Sequence, residues 1–394
     1  ACNSDNAAQP CAPTVEAPGE ARLTPSATAG KTRRGPSVTE QRKRPRPSDY
    51  FSDWKEREAL AEAMIPVVGS LSRERNVKCY IYGRSLVNES VLDIMKTHRW
   101  VRQIEDNELS EFETAPVLNA VSQLDLGPCH LDIGRLAVAY YDKGAGEGLS
   151  VEEYCQQELA YLTGSTQKPV EGPVDVILYG FGRIGRLMAR ILIGKTDGGD
   201  SLRLRAIVVR KGGADDDLLK RASLLRRDSV HGVFKGTIRV DEERQSFIAN
   251  GNEVKVIYAD APEDIDYTQY GIQAGIVVDN TGVWRDKAGL SRHLAAKGVA
   301  KVILTAPGKG DIKNIVAGIN ESAIEDTDTV ISAASCTTNA IVPVLKAADD
   351  EYGIVAGHVE TVHAYTNDQN LIDNYHKAER RGRSAPLNMV LTET

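Results

Sequence analysis

The sequence has few cysteines, no long apolar run and no excess of positive charge, and each shortage excludes a class of protein. The six cysteines lie far apart, with no Cys-x-x-Cys pair and no histidine at metal-ligand spacing, which argues against a metal site and a disulfide framework. No run approaches the roughly 20 apolar residues of a membrane-spanning helix, so we expect a soluble chain without a membrane partner. The formal net charge of −7 has the wrong sign for a protein whose main partner is a nucleic acid.

The 394 residues suffice for several domains of roughly 150 residues each. Residues 1–48 are rich in Ala, Pro, Ser and Thr and then become basic, a composition that predicts a disordered tail. Both a solvated linker and the remnant of an organellar transit segment fit this tail. In residues 49–165 apolar side chains recur at helical spacing, as at Leu60, Met64 and Val67, which predicts an all-α accessory domain.

Residues 173–335 alternate between β-rich runs and runs with helical periodicity. Val174–Tyr179, residues 184–193 and Leu202–Val209 have the strand-helix-strand order of a parallel sheet with helices on its faces. Further β-rich runs continue the pattern towards residue 332. This order predicts an α/β fold, with a Rossmann-type, doubly wound dinucleotide-binding domain.

Three glycines, Gly180, Gly182 and Gly185, follow the first strand of this domain and begin its first helix. In a G-x-G-x-x-G pattern the first glycine makes the turn and the second lets a pyrophosphate approach the backbone. The third lets the helix and the strand pack closely. In this context the pattern predicts dinucleotide binding, with N–H groups at the helix N-terminus facing the phosphates.

Arg210 and Lys211 end the second strand, where a carboxylate that holds the adenosine ribose would favour NAD. A basic side chain there can pair with the extra phosphate of NADP, so the choice between NAD and NADP stays open. Alternatively, the basic pair is only solvated, and one of the residues Asp215 to Asp217 in the next loop supplies the ribose carboxylate.

Cys336 is the candidate nucleophile. It belongs to the segment Ser-Cys-Thr-Thr-Asn at residues 335–339 and opens a helical stretch, and the N-terminus of a helix favours the thiolate form of a cysteine. His363, at the start of a polar loop farther along the chain, is the candidate base, because cysteine and histidine form a recurrent catalytic pair. His231 is interpreted as a structural turn residue.

Six short motifs follow one another along the chain: GFGRIGR at 180–186, DSVHG at 228–232, NTG at 280–282, TAP at 305–307, SCTTN at 335–339 and HAYTNDQ at 363–369. Their order resembles that of the phosphorylating glyceraldehyde-3-phosphate dehydrogenases, and the resemblance extends from about residue 174 to residue 394. The whole chain is similar to the long form of this family, which has an N-terminal helical extension.

The resemblance implies oxidation of glyceraldehyde 3-phosphate with inorganic phosphate to 1,3-bisphosphoglycerate, through a thiohemiacetal and a thioester on Cys336, in a homotetramer. Residues 336–394 would be the first part of an α+β catalytic domain, and His363 would act as the base. The implied ligands of the cofactor, NAD or NADP, are Gly180, Gly182, Arg183, Ile184, Gly185, Arg210, Lys211, Thr281, Gly282 and Thr305. Those of the substrate and the attacking phosphate are Ser335, Thr337, Thr366, Asp368 and Thr394.

The chain departs from the family pattern in three ways. Arg210 and Lys211 replace the Asn-Asp pair of the NAD-specific enzyme, and a helical extension precedes the family motifs. The sequence also stops before the family's substrate-phosphate arginine and the asparagine that orients the nicotinamide. We therefore expect this fragment to be poorly active or inactive. Because the sequence also begins with Ala1 rather than Met, we expect both ends of the chain to be incomplete.

Two other functions stay open as alternatives. An erythrose-4-phosphate dehydrogenase would share every motif, whereas a cofactor-binding regulatory scaffold would use the helical domain to bind a partner. A scaffold needs neither Cys336 nor His363, so this pair favours an enzyme. We predict a cytoplasmic location, or a plastid or mitochondrion if the basic tail is a transit remnant.

Overall fold

The computed structural model describes residues 47–105, 107–164, 173–195 and 202–391. Except for its last two residues, the tail predicted at residues 1–48 lies outside this set. Buried apolar residues between positions 61 and 159 form one hydrophobic cluster, and those between positions 176 and 330 form three more. Among the described residues, the first cluster shares no member with the other three.

The α-helices of the described residues are α1 (Tyr50–Arg75), α2 (Val91–Trp100), α3 (Glu111–Gln123), α4 (Ile133–Tyr141), α5 (Val151–Glu158), α6 (Arg183–Lys195), α7 (Asp217–Arg226), α8 (Lys287–Ser291) and α9 (Cys336–Tyr352). Short 3-10 helices lie at Val101–Gln103, Ala160–Leu162, Pro262–Asp264, Tyr267–Tyr270, Arg292–Ala295, Glu321–Ala323 and Glu379–Gly382. None of the helices described is long and apolar enough to cross a membrane.

The strands are β1 (Val77–Ile81), β2 (Arg84–Ser85), β3 (Cys129–Asp132), β4 (Val174–Tyr179), β5 (Leu202–Val209), β6 (Arg227–Asp228), β7 (Gly232–Val233), β8 (Ile238–Asp241), β9 (Ser246–Ala249), β10 (Asn252–Tyr258), β11 (Gly275–Asp279), β12 (Val299–Leu304) and β13 (Val330–Ser332). They form a three-stranded sheet, an eight-stranded sheet and the two-stranded ribbon β6-β7.

The N-terminal region, residues 47–164, consists of helices α1 to α5 and the small sheet β2-β1-β3. Helix α1 begins after Asp49, whose carboxylate accepts the N–H groups of Phe51 and Ser52. The prediction of an all-α domain is confirmed for most of this region, but it omitted the sheet. Strands of only two to five residues between long helical runs are too short for their alternation to stand out in the sequence.

A buried polar network joins α1, α2 and α3. Glu111 is fully buried, and its Oε2 accepts a hydrogen bond from Arg57 Nε at 2.6 Å. His98, also buried, lies 3.2 Å from Glu111 Oε1 through Nδ1 and 2.7 Å from Thr114 Oγ1 through Nε2. Burial lowers the pKa of His98. These partners matter because a buried carboxylate is stable only when it is paired.

The eight-stranded sheet has the order β13-β12-β11-β4-β5-β10-β9-β8. Six strands, β13, β12, β11, β4, β5 and β10, run parallel to one another. Strands β9 and β8 are added antiparallel at the edge next to β10. Both faces are covered: Val176 and Leu178 of β4 pack with residues of α6 and α7, while Ile177 and Tyr179 pack on the other face. The prediction of a doubly wound, Rossmann-type sheet is therefore confirmed.

The strand order also locates the ligand crevice. The chain passes from β4 to β5 on one side and later returns to add β11 on the other side of β4. This reversal creates a topological switch point at the carboxyl end of β4, the usual ligand site of an open α/β sheet.

Helix α9 follows β13 after a three-residue link. Beyond it, residues 353–391 contain the 3-10 helix Glu379–Gly382 and no strand among the described residues. An α+β catalytic domain was expected from residue 336. In the described residues this region consists of helix α9, one 3-10 helix and loops.

Candidate active site

The glycine turn after β4 is packed so closely that two of its residues have no room for a side chain. Gly180 has a φ of +90°, and a Cβ atom there would lie 2.8 Å from Thr281 Cγ2. A Cβ on Gly185 would lie 2.3 Å from the carbonyl oxygen of Gly180. In contrast, a Cβ on Gly182 would meet nothing within 4 Å, so the absence of a side chain there leaves space for a ligand. With α6 beginning at Arg183, the turn fits a dinucleotide pyrophosphate.

The ends of β11 and β12 lie beside this turn. The N–H of Asn280 donates to the carbonyl oxygen of Tyr179 at 2.8 Å, which joins β11 to β4. Thr305, after β12, donates both its N–H and its Oγ1 to the carbonyl oxygen of Asp279, each at 3.0 Å. The structure therefore brings Thr281, Gly282 and Thr305 to the same edge of the sheet as the glycines, as the resemblance implied. Arg183 and Ile184 are exposed there.

Asp279 and His293 form a buried pair that the sequence analysis missed. His293 Nε2 lies 3.0 Å from Asp279 Oδ2, and neither side chain is accessible to solvent. Asp279 Oδ1 accepts hydrogen bonds from the N–H and the Oγ1 of Thr281, both at 2.7 Å. The His293 ring packs edge-on against Tyr179, with ring centroids 4.6 Å apart. The pair thus holds Thr281 against the glycine turn, and its only signal in the sequence is an acidic residue at the end of an apolar strand.

The end of β5 carries Arg210 and Lys211, both exposed. Of the acidic residues in the next loop, Asp217 is engaged: its Oδ2 accepts hydrogen bonds from Arg221 Nε at 2.7 Å and from Tyr258 at 3.0 Å. Arg221 also donates to the carbonyl oxygen of Arg210 at 2.9 Å. Asp216 is exposed and pairs with Lys220 at 2.7 Å, and Asp215 is exposed.

Cys336 is the first residue of α9. Ser335 caps this helix, since its Oγ accepts the N–H of Thr338 at 2.9 Å. The Nδ2 of Asn339 donates to the carbonyl oxygens of Ala333 and Ser335, both at 2.8 Å. These bonds fix the thiol at a helix N-terminus, where partial positive charge favours a thiolate.

His363 meets Cys336 as predicted, with its Nε2 3.3 Å from the Cys336 Sγ. The His363 Nδ1 lies 2.6 Å from the carbonyl oxygen of Ala364, a contact in which Nδ1 donates and Nε2 is left to face the sulfur. The hydrogen bond between the two side chains lowers the pKa of Cys336 and raises the pKa of His363. The arrangement favours a thiolate–imidazolium pair.

A second polar cluster lies in the loop after His363. Thr366 Oγ1 hydrogen-bonds to Asp368 Oδ1, and Arg381 donates to Asp368 Oδ2 at 2.6 Å. Arg381 also lies 3.4 Å from Thr366 Oγ1. The sequence analysis named Thr366 and Asp368 but missed Arg381, which lies among several arginines with no motif to single it out.

The remaining predicted residues have mixed outcomes. Thr337 is buried beside Cys336, and the Ser335 hydroxyl is engaged in the helix cap. Thr394 lies outside the described residues. In the turn between β6 and β7, the backbone N–H and the ring Nδ1 of His231 both bond to Asp228 Oδ1. This confirms the interpretation of His231 as a structural turn residue.

A cleft of about 410 Å³ borders the start of α9. Its lining includes Pro307, Gly308, Asn314, Ala334, Ser335 and Thr338. The cleft adjoins both the loop after β12 and the cap of the nucleophile helix.

The geometry predicts that Gly182→Ala folds normally but binds NAD at least about tenfold more weakly, because the added methyl group occupies the approach of the pyrophosphate. Gly194→Ala is the matched control, since a Cβ at this site in α6 also meets nothing within 4 Å. Calorimetric titration with NAD, together with circular dichroism, tests the prediction. Equal affinities in the two variants would contradict it.

We also expect His363→Asn to shift the pH profile of Cys336 alkylation to higher pH. Thiolate reactivity is lost as the pH falls through the cysteine pKa, and the variant lacks the hydrogen bond that lowers this pKa. The rate with iodoacetamide, followed by mass spectrometry of the peptide that contains Cys336, gives the profile. His358→Asn, at an exposed position of the same region, should keep the profile of the parent. An unshifted His363→Asn profile would refute the assignment.

Comparison with known proteins agrees with this geometry. Residues 174–287 match the family model described as glyceraldehyde 3-phosphate dehydrogenase, NAD binding domain, and residues 335–394 match that described as its C-terminal domain. A glyceraldehyde-3-phosphate dehydrogenase-like protein of Pseudomonas aeruginosa is 60% identical over 333 residues, which cover 84% of this chain and 72% of the relative. This alignment is too long to lie within residues 174–394, so it includes part of the N-terminal region.

Two other relatives match a shorter part of the chain. The chloroplastic glyceraldehyde-3-phosphate dehydrogenase A of Zea mays is 38% identical over 59% of this chain and 55% of its own length. The glyceraldehyde-3-phosphate dehydrogenase of Thermotoga maritima is 40% identical over 56% of this chain and 62% of its own length. With a glycine turn, a Cys336–His363 contact and these matches all in agreement, the chain belongs to the glyceraldehyde-3-phosphate dehydrogenase family and contains its NAD-binding domain.

Proposed function

We propose that the complete protein oxidises glyceraldehyde 3-phosphate, with inorganic phosphate as the second substrate, to 1,3-bisphosphoglycerate. The observation that carries the proposal is the 3.3 Å contact between Cys336 Sγ and His363 Nε2. Helix α9 follows β13, and the glycine turn follows β4, a parallel strand of the same sheet. A reactive thiol and a dinucleotide crevice at one sheet edge suit the oxidation of an aldehyde.

In the proposed mechanism the Cys336 thiolate attacks the aldehyde carbon, and a thiohemiacetal forms on the sulfur. The His363 imidazolium donates its proton to the oxyanion, which gives the hydroxyl group, and the neutral imidazole takes this proton back as the carbon is oxidised. A bound nicotinamide dinucleotide supplies the hydride acceptor. The resulting thioester is cleaved by inorganic phosphate, whose oxygen bonds to the acyl carbon while Cys336 leaves as a thiolate.

The polar cluster of Thr366, Asp368 and Arg381 supports a phosphate subsite near His363. The Arg381 guanidinium brings the positive charge that a phosphate group needs, and Asp368 fixes its orientation at 2.6 Å. The attacking phosphate would then approach from the start of α9, where Ser335 and Thr337 lie.

We further propose that NADP is accepted as well as NAD. Arg210 and Lys211 are exposed at the carboxyl end of β5, where a basic side chain can pair with the 2′-phosphate of NADP. The competing idea of a ribose-binding carboxylate is weakened for Asp217, because Arg221 and Tyr258 already engage it.

A homotetramer is proposed from the family resemblance. The cytoplasm stays the predicted compartment.

Initial rates of nicotinamide reduction by the full-length protein, with glyceraldehyde 3-phosphate and inorganic phosphate, test the proposed reaction. We expect phosphate-dependent turnover that Cys336→Ser abolishes and that His363→Asn lowers by roughly 10²- to 10⁴-fold in kcat. Cys129→Ser, at a half-buried position in the N-terminal region, is the matched control and should keep the parent rate. NAD binding without turnover would favour a cofactor-binding scaffold. If the protein oxidised erythrose 4-phosphate faster than glyceraldehyde 3-phosphate, erythrose 4-phosphate would be the better assignment of its substrate.

The same assay tests the choice of cofactor. In the double variant Arg210→Ala/Lys211→Ala we expect the KM for NADP to rise about tenfold or more, because charge-assisted bonds to the 2′-phosphate are lost, while the KM for NAD stays within about twofold. Arg239→Ala, at an exposed position on the edge strand β8, should change neither constant. A parent enzyme that does not use NADP would overturn the cofactor proposal.

A further inference from the structure

Ser332, the last residue of β13, is fully buried and joins three segments at the edge of the sheet. Its Oγ donates to the carbonyl oxygen of Ala306 at 2.7 Å and lies 2.9 Å from Asn314 Oδ1. The same oxygen accepts the N–H of Gly308 at 3.2 Å and the N–H of Ala334 at 3.0 Å. One hydroxyl group thus connects the loops after β12 and β13.

Ala334 is the unusual member of this group. It is 6% exposed and has a φ of +59°, in the left-handed region that residues other than glycine rarely occupy. A residue with a Cβ atom adopts this conformation at a cost in free energy, and it persists only where the surroundings impose it. Ala334 lies two residues before Cys336, so its backbone angles set the direction in which the chain enters α9.

The link between β13 and α9 is held from both sides. Ser332 Oγ binds the N–H of Ala334 from the strand side, and Asn339 Nδ2 binds the carbonyl oxygens of Ala333 and Ser335 from the helix side. Between these two contacts, the left-handed turn lets Ser335 cap α9 and places Cys336 at its N-terminus. A turn with negative φ at Ala334 would redirect the link and move the sulfur away from His363.

We propose that Ser332 is a positioning residue for Cys336, which acts by holding Ala334 in the left-handed conformation. The inference rests on the proposed role of Cys336 as the nucleophile, but not on the identity of the substrate. Ser332 touches neither Cys336 nor His363 in the hydrogen bonds of the described residues. Its effect on the thiol is therefore transmitted through the backbone of Ala334.

A purely structural role for Ser332 would give a different result. In that case its bonds to Ala306, Gly308 and Asn314 would hold the loops together. The effect of losing these bonds on Cys336 would then be the same whichever residue occupies position 334. The positioning role depends on the conformational preference of that residue. Glycine adopts positive φ without a steric penalty, so Ala334→Gly should make the Ser332 contact dispensable for the thiol.

The test is the rate at which iodoacetamide alkylates Cys336 in the cofactor-free protein, measured over a range of pH by mass spectrometry of the peptide that contains Cys336. We expect Ser332→Ala to slow alkylation at pH 7 about tenfold or more, since the sulfur loses its contact with His363 and its place at the helix N-terminus. The double variant Ser332→Ala/Ala334→Gly should return to within about threefold of the parent rate, and Ala334→Gly alone should also stay within that range.

Ser322→Ala is the matched control, because Ser322 is an exposed serine in the neighbouring 3-10 helix and should alkylate at the parent rate. Circular dichroism establishes that each variant is folded. The proposal is overturned if Ser332→Ala reacts at the parent rate, or if Ala334→Gly does not restore a slow variant. If Ser332→Ala does not fold, the double variant decides: a folded, reactive protein supports positioning, and an unfolded one shows a purely structural role.

This measurement is independent of turnover. Alkylation needs neither the aldehyde nor phosphate nor a dinucleotide, so failure of the proposed reaction would leave the result interpretable. In turn, parent-like alkylation of Ser332→Ala would remove the positioning role without affecting the proposed reaction.

Discussion

The parallel arrangement of β4, β11, β12 and β13 is the constraint on which the candidate site depends. Parallel strands have their carboxyl ends at the same edge of a sheet, so the glycine turn, Thr281, Thr305 and Cys336 meet there although more than 150 residues of chain separate the first from the last. Hydrogen bonds between neighbouring strand ends, such as Asn280 N–H to the Tyr179 carbonyl oxygen, then fix the distances. The backbone of the sheet therefore determines where the cofactor-binding and catalytic side chains lie.

Two histidines at this edge illustrate how the surroundings decide what the same side chain does. His293 is inaccessible to solvent and lies 3.0 Å from Asp279 Oδ2, and Asp279 Oδ1 accepts hydrogen bonds from Thr281. His363 is exposed and faces the Cys336 thiol, and their hydrogen bond raises the pKa of His363. The buried pair stabilises one geometry, whereas the second pair places a ring nitrogen where a proton can pass between His363 and a reacting group on Cys336.

The sequence predicted the features that have a local signal. The parallel strands of the large sheet, the glycine turn and the Cys336–His363 pair each follow from periodicity, a short motif or the known chemistry of a residue type, and the structure has all of them. The antiparallel edge strands β8 and β9 were not predicted. Asp279 with His293, Arg381 and Ser332 were missed because each matters through a partner that is distant in sequence. The N-terminal sheet was missed for another reason: its strands are too short for a visible alternation.

The separation of the hydrophobic clusters has an evolutionary consequence. In the part of the chain that the structure describes, the cluster of residues 61–159 shares no buried side chain with those around the large sheet, so a substitution in one core does not force compensating substitutions in the other. A segment of this kind can be gained or lost as a block, without repacking the dehydrogenase fold. The relatives fit such a history, because the Pseudomonas protein aligns across both regions, while the maize and Thermotoga proteins align over little more than half of the chain.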